Sequence, residues 1–280
     1  MATLIKLSPW IRAIEAGASV NANQALRADS RLRTMFATAL RRETLIMSAW
    51  RHAFAAFAMF CCGYACAAPY PGEGQLRTAI GSVTGLLKTN GIALEIFDAQ
   101  KEGITQPLMS AVLTRTGEAC LVFFNTRPEN GLIQFFDTFT ANELAVVLNA
   151  LAVHEATHCF EQREAFIHMR FAKVLPADSK RDTATIQGYL SAIKSGALVT
   201  WGEALADISS VLYLKQAVPG QWTYFATRLA AMRHDLARKW PEHDTSAWLN
   251  SIIAADIGPA ANENLFETAL QLRSRYRPLP

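Results

Sequence analysis

The sequence predicts an α+β fold: a small, mostly antiparallel sheet packed on one long helix, followed by an all-helical second half. Three observations predict it. Short runs that alternate apolar and polar residues, or are continuously apolar, crowd between positions 92 and 124. A Thr140-Ala-Asn-Glu143 capping box opens an unbroken helical pattern. From about position 182 onward the apolar residues recur only at helical spacing. Strands first and helices after, without βαβ alternation, is the signature of this class.

In chain order, residues 53–68 read AFAAFAMFCCGYACAA, without a charge and too short to span a bilayer comfortably. With Arg51 and His52 before it and Ala65-Cys66-Ala67 after it, the stretch reads as a signal peptide over 47–68 starting at Met47. A buried helix or an uncleaved anchor is the alternative. Residues 1–46 then lie upstream of the true start or are disordered, and 69–280 form the working domain. Export to the periplasm or medium is the corresponding expectation. The charge divides the same way. Of 27 Lys/Arg and 24 Asp/Glu, residues 1–68 hold 8 and 3, leaving 19 basic and 21 acidic residues. A near-neutral domain gives no sign of a nucleic-acid surface, and neither a nucleic-acid partner nor stable membrane insertion of the domain is expected. Outside the leader only Cys120 and Cys159 remain. They form either a disulfide pinning a strand to the central helix or two buried thiols.

Leu76, Ile80, Val83, Leu86 and Leu87 predict a helix over 74–88, stopped by Asn90-Gly91. Strands follow at 92–97, 109–113 and 119–124, the last two joined by a turn at Gly117, with a possible fourth at 132–136. The capped helix continues through Leu144, Val147, Leu148 and Leu151 towards Val174, before Pro176. Later helices are expected over 183–194, 199–216, 221–239, 246–255 and 261–275.

The chemistry concentrates in the capped helix. His154-Glu155-Ala156-Thr157-His158 places two imidazoles four residues apart, on one helix face, where both can reach a single metal ion. Zn2+ suits this arrangement because it takes imidazole nitrogen and keeps a position open for water. Glu155, about 100° round the helix from His154, is placed to take a proton from that water.

A third ligand is needed. Glu161 and Glu164 occupy the positions where some relatives of this motif carry Gly and His. Glu161 lies about 10 Å along the axis from His154, so both glutamates read as solvated, with Arg163 as a partner. Glu203 and Asp207, four apart in an otherwise apolar stretch, are better placed. Two carboxylates there are costly to bury without partners. Glu203 is the candidate ligand and Asp207 the acceptor for the free N–H of a ligand histidine. His234 and Tyr189 are candidate oxyanion donors without motif support, and His168 and His243 receive no role.

The two motifs together, His154-Glu155-x-x-His158 and Glu203-x-x-x-Asp207, resemble the zincin metallopeptidases, and within them the gluzincins of thermolysin-like arrangement. The resemblance covers residues 140–210 and the strands before them. It departs in having Gly202 and Ala206 where that arrangement has Asn and Ser, and in a longer, 45-residue step from His158 to Glu203. It implies His154, His158 and Glu203 as zinc ligands, Glu155 as general base and Asp207 as the partner of His154. A peptide or protein substrate would be bound by strand addition along 119–125. The alternatives in other classes are a zinc amide hydrolase acting on cell-wall peptide and a zinc-stabilised binding domain without turnover.

Overall fold

The computed structural model describes residues 70–105, 107–128, 130–258 and 264–278, and the leader expected at 1–68 lies outside the described residues. Helix α1 (Glu73–Ser82) breaks at Val83 into α2 (Thr84–Thr89), so the segment read as one helix is two. Gly91, at φ 67°, then turns the chain into β1 (Ala93–Asp98). Strands β2 (Met109–Leu113) and β3 (Ala119–Phe124) follow the expected bounds, closed by Gly117 at φ 73°. A Cβ on Gly117 would fall 2.4 Å from the Ile167 side chain, so the turn also needs glycine for packing.

The sheet order is β1-β3-β2, with β2 antiparallel and β1 parallel to β3. It is therefore mixed, where a mostly antiparallel sheet was expected. Consecutive strands tend to be neighbours, but the connection over 99–108 carries the chain past β3's place to the far edge. Buried Asn125 holds that crossover: its Nδ2 donates to the Ile104 carbonyl, its Oδ1 accepts from Gln100 Nε2, and its N–H donates to the Leu108 carbonyl. One polar side chain thus replaces a tight turn.

Residues 132–136, offered as a fourth strand, instead belong to α3 (Asn130–Phe136). A short apolar run does not distinguish strand from helix by pattern alone. Here Phe135 and Phe136 meet Phe139 and Tyr70 in an aromatic cluster that a helix presents on one side.

Helix α4 (Ala141–Phe166) is the axis of the fold. The Thr140 backbone N–H donates to Glu143 Oε2 at 2.7 Å, and Thr140 Oγ1 accepts from the Glu143 N–H at 3.4 Å, completing the expected box. Such a cap contributes about 1 kcal/mol. The helix ends earlier than expected because Met169, at φ 55°, turns the chain into the short α5 (Phe171–Val174). A 3₁₀ turn at Arg181–Ala184 and α6 (Ile186–Lys194) lead to α7 (Val199–Ala217), which lies along α4. Ala150 and Ala156 on α4, and Ala204 and Ala206 on α7, are fully buried, and the small residues let the two backbones approach. Ser210 Oγ donates across the gap to the Ala150 carbonyl at 2.7 Å. Helices α8 (Trp222–Leu236), α9 (Ser246–Ala255) and α10 (Leu265–Arg275) cover the far sides of α7. The α+β class, small sheet first and helices after, is the observed architecture.

Cys120 of β3 and Cys159 of α4 form a disulfide, settling the alternative left open by the sequence. No single helix among the described residues is long and apolar enough to cross a membrane. The pair α6–α7, bent by 89°, is together long and apolar enough, and much of α7 is buried in the core.

Candidate metal centre

His154 and His158 project from successive turns of α4 towards α7, and Glu203 of α7 meets them. The His154 and His158 Nε2 atoms are 3.2 Å apart. Glu203 Oε2 lies 3.4 Å from His154 Nε2, and Oε1 lies 3.5 Å from His158 Nε2. Three donors from two helices thus converge on one point, and this buried group could hold a metal ion. The donor set fits one: two nitrogens and a carboxylate, without a competing thiol, suit a divalent transition ion.

Asp207, one turn beyond Glu203, sits where expected. Its Oδ1 is 2.8 Å from His154 Nδ1, which fixes the ring with Nε2 towards the common point, where Arg233 Nη2 also stands 3.3 Å from it. The remainder of the Asp207 environment has no counterpart in the sequence reading. Arg233 of α8 clasps the same carboxylate through Nη2 (2.8 Å to Oδ1) and Nε (2.7 Å to Oδ2), and Thr245 Oγ1 donates to Oδ2. Arg233 Nη2 is also 3.1 Å from Glu203 Oε2. His243, given no role, places Nδ1 3.3 Å from Glu203 Oε2 and remains partly open to solvent. These three residues come from α8 and the segment after it, at spacings without periodicity. The one available signal was that a buried carboxylate pair requires a cation.

The electrostatics follow from enclosure. Burial opposes ionisation of Glu203 and Asp207, but Arg233 and His154 outweigh it. Glu203 is held well below the ordinary carboxylate range and Asp207 falls to about 2. Burial alone would lower His154, but the Asp207 and Glu203 charges raise it to about 10 in the metal-free protein, whereas burial lowers His158. Glu155 moves the other way. Burial raises its carboxyl to about 7, with the negative Glu203 adding to the rise and the positive His154 and Arg233 limiting it. A carboxylate titrating near neutrality beside a metal-type donor set can exchange protons with a bound water.

Other candidates do not gather here. His234 is three-quarters exposed and faces Asp244, while Tyr189 is buried in a neighbouring cavity. Glu161 and Glu164 are buried rather than solvated. Glu161 Oε1 pairs with Arg273 Nη1 at 2.7 Å, and Glu164 with Arg170 and Lys173 at 3.2 and 3.0 Å. Arg163 does not join them and instead donates to the Asn90 carbonyl. The expectation failed because α10 and the turn after α4 cover a helix face that would otherwise meet water. Strand addition along 119–125 is also excluded, because β3 is the central strand and both its edges are paired.

No protein-family model, curated protein or solved structure matches the chain.

Proposed function

We propose that the protein is an exported zinc-dependent peptidase of gluzincin type that hydrolyses peptide bonds with Glu155 as general base. The observation that carries the reading is the spacing of the three donors. Ligands at about 2.0–2.1 Å from a tetrahedral zinc lie about 3.4 Å from one another, and the observed separations are 3.2, 3.4 and 3.5 Å. His154, His158 and Glu203 would hold the ion, leaving the fourth position for water. Bound zinc supplies a water acidified towards a pKa of about 7 and a polarised scissile carbonyl.

The chain's own residues divide the remaining work. Glu155 accepts the proton of the attacking water and returns it to the leaving amine. Asp207, held by Arg233 and Thr245, would hold the Nδ1 proton of His154, so that Nε2 is the nitrogen offered to the ion. His243, at the solvent side of Glu203, is the donor for oxyanion charge, in place of His234 or Tyr189. Substrate would lie along β2, an edge strand. Its Leu113 N–H donates to Gln162 Oε1 at 2.9 Å, and Gln162 lines the cavity beside His158.

A second reading is favoured by Arg233, whose guanidinium already neutralises Asp207 and contacts Glu203. On that reading the cluster is a metal-free structural ion pair. Metal analysis of the purified chain decides between them: one zinc per chain, with peptide hydrolysis abolished in Glu155→Gln, supports the peptidase. A chain that purifies and refolds in zinc without retaining the ion leaves only the ion-pair cluster.

A further inference from the structure

A cavity of about 160 Å³ opens beside the metal centre, between α4, α6 and the start of α7. His158 and Glu203 line it on the metal side, and Ile193, Leu198 and Trp201 form apolar wall. Glu161, Tyr189 and Gln162 break that wall, and Gln162 Oε1 is already taken by the Leu113 N–H. Glu161 lies one turn along α4 from His158. Its Oε1 is taken by fully buried Arg273, while Oε2 has no hydrogen-bond partner among the described residues. Oε2 faces Gly202, where a Cβ would stand 3.2 Å from it. The Tyr189 hydroxyl, on a side chain 4% exposed, likewise has no partner among the described residues. Burial, then the Glu161 charge, pushes its pKa up, so it stays a neutral donor.

Size, charge and hydrogen bonding restrict what can enter. A cavity of about 160 Å³ is of the size that holds a group like benzene, so it favours a side chain smaller than tryptophan. Arg273 already balances Glu161, so a cationic side chain would bring an uncompensated charge into an apolar-walled hole, and an anionic one would face Glu161. An aliphatic side chain fits but leaves the Glu161 and Tyr189 groups unmatched, which carries a desolvation cost. A compact neutral side chain with a donor and an acceptor at its tip meets these conditions.

We propose that this cavity selects the substrate residue beside the scissile bond and takes a glutamine side chain, whose amide N–H donates to Glu161 Oε2 and whose carbonyl accepts from the Tyr189 hydroxyl. The assignment rests on the zinc-peptidase reading and gives it a substrate class. It also accounts for two departures from the thermolysin-like pattern. Gly202 leaves room for the Glu161 carboxylate, and the long step from His158 to Glu203 contains α6, which supplies Tyr189 and Ile193.

The test uses the full zinc-loaded chain and peptides varied on each side of the cleaved bond. At one of the two positions, glutamine should exceed methionine by about tenfold in kcat/KM, with lysine, glutamate and tryptophan lower still. In Tyr189→Phe the glutamine-to-methionine ratio should fall below about threefold. Binding of the same peptides to zinc-loaded Glu155→Gln, followed by calorimetry, should show the same order without turnover. Cleavage that is indifferent to both positions, a preference for lysine or glutamate, or a ratio unmoved by Tyr189→Phe overturns the pocket while leaving the peptidase standing. Preferential binding of the glutamine peptide by a chain that holds no zinc overturns the peptidase and keeps the pocket. Neither binding nor cleavage overturns both.

Discussion

Two buried arginines meet carboxylates of α4 and α7, and they do so differently. Arg273 donates Nη1 to Glu161 and to the Trp201 carbonyl and Nη2 to the Val174 carbonyl, and its guanidinium lies 4.3 Å above the Trp201 ring. Its partners are largely backbone, so it fastens α10 to the ends of α5 and α7. Arg233 meets carboxylates that also face imidazoles, Asp207 towards His154 Nδ1 and Glu203 towards both Nε2 atoms. A buried ion pair closed by backbone carbonyls is a structural fastener. One whose carboxylates converge on ring nitrogens directs three donors at a shared point that could hold a metal ion, with Arg233 Nη2 at its edge 3.3 Å from His154 Nε2.

The sharpest way to break this comparison is at the base. Glu155→Gln should lower peptide hydrolysis by about 10³–10⁴-fold while zinc content and melting temperature hold; retained turnover would remove the site from the comparison altogether. Next, Arg273→Met leaves Glu161 buried without its cation and should cost about 3–5 kcal/mol in denaturant unfolding. Zinc should not repair that loss. Arg233→Met should be repaired in part, because an ion between His154, His158 and Glu203 supplies the missing positive charge. Thermal scans with and without zinc check this, and equal zinc rescue of the two variants would erase the distinction.

Smaller again is Asp207→Asn, which should weaken zinc binding by about 10–100-fold in chelator competition. The mildest perturbation is pH. Because His154 is raised to about 10 in the metal-free protein by Asp207 and Glu203, against the effect of burial, it holds a proton at neutrality that the metal must displace. Zinc affinity should therefore rise about tenfold per pH unit between pH 6 and 8. A flat profile would show that His154 is already neutral without metal.

How much of this the sequence disclosed depends on whether a feature is local. The His154–His158 pair and the Glu203–Asp207 pair are each one helical turn, so periodicity places them, and the Thr140 cap announces its own helix. Arg233, Thr245 and His243 reach the site only because α8 and the segment after it fold back over α7. Nothing adjacent to them in sequence records that. The sheet order is likewise non-local: β1 and β2 are consecutive, yet Asn125 holds a crossover that lets β3 enter between them. Burial of Glu161 and Glu164 was missed for the same reason, since the elements that cover them, α10 among them, come later in the chain.

The Cys120–Cys159 link stands immediately beside His158 in the chain. Cys159 is the next residue of the same helical turn, so the covalent bond that ties β3 to α4 is made one residue from a donor of the group that could hold a metal ion. The sheet thereby anchors the backbone from which that donor projects.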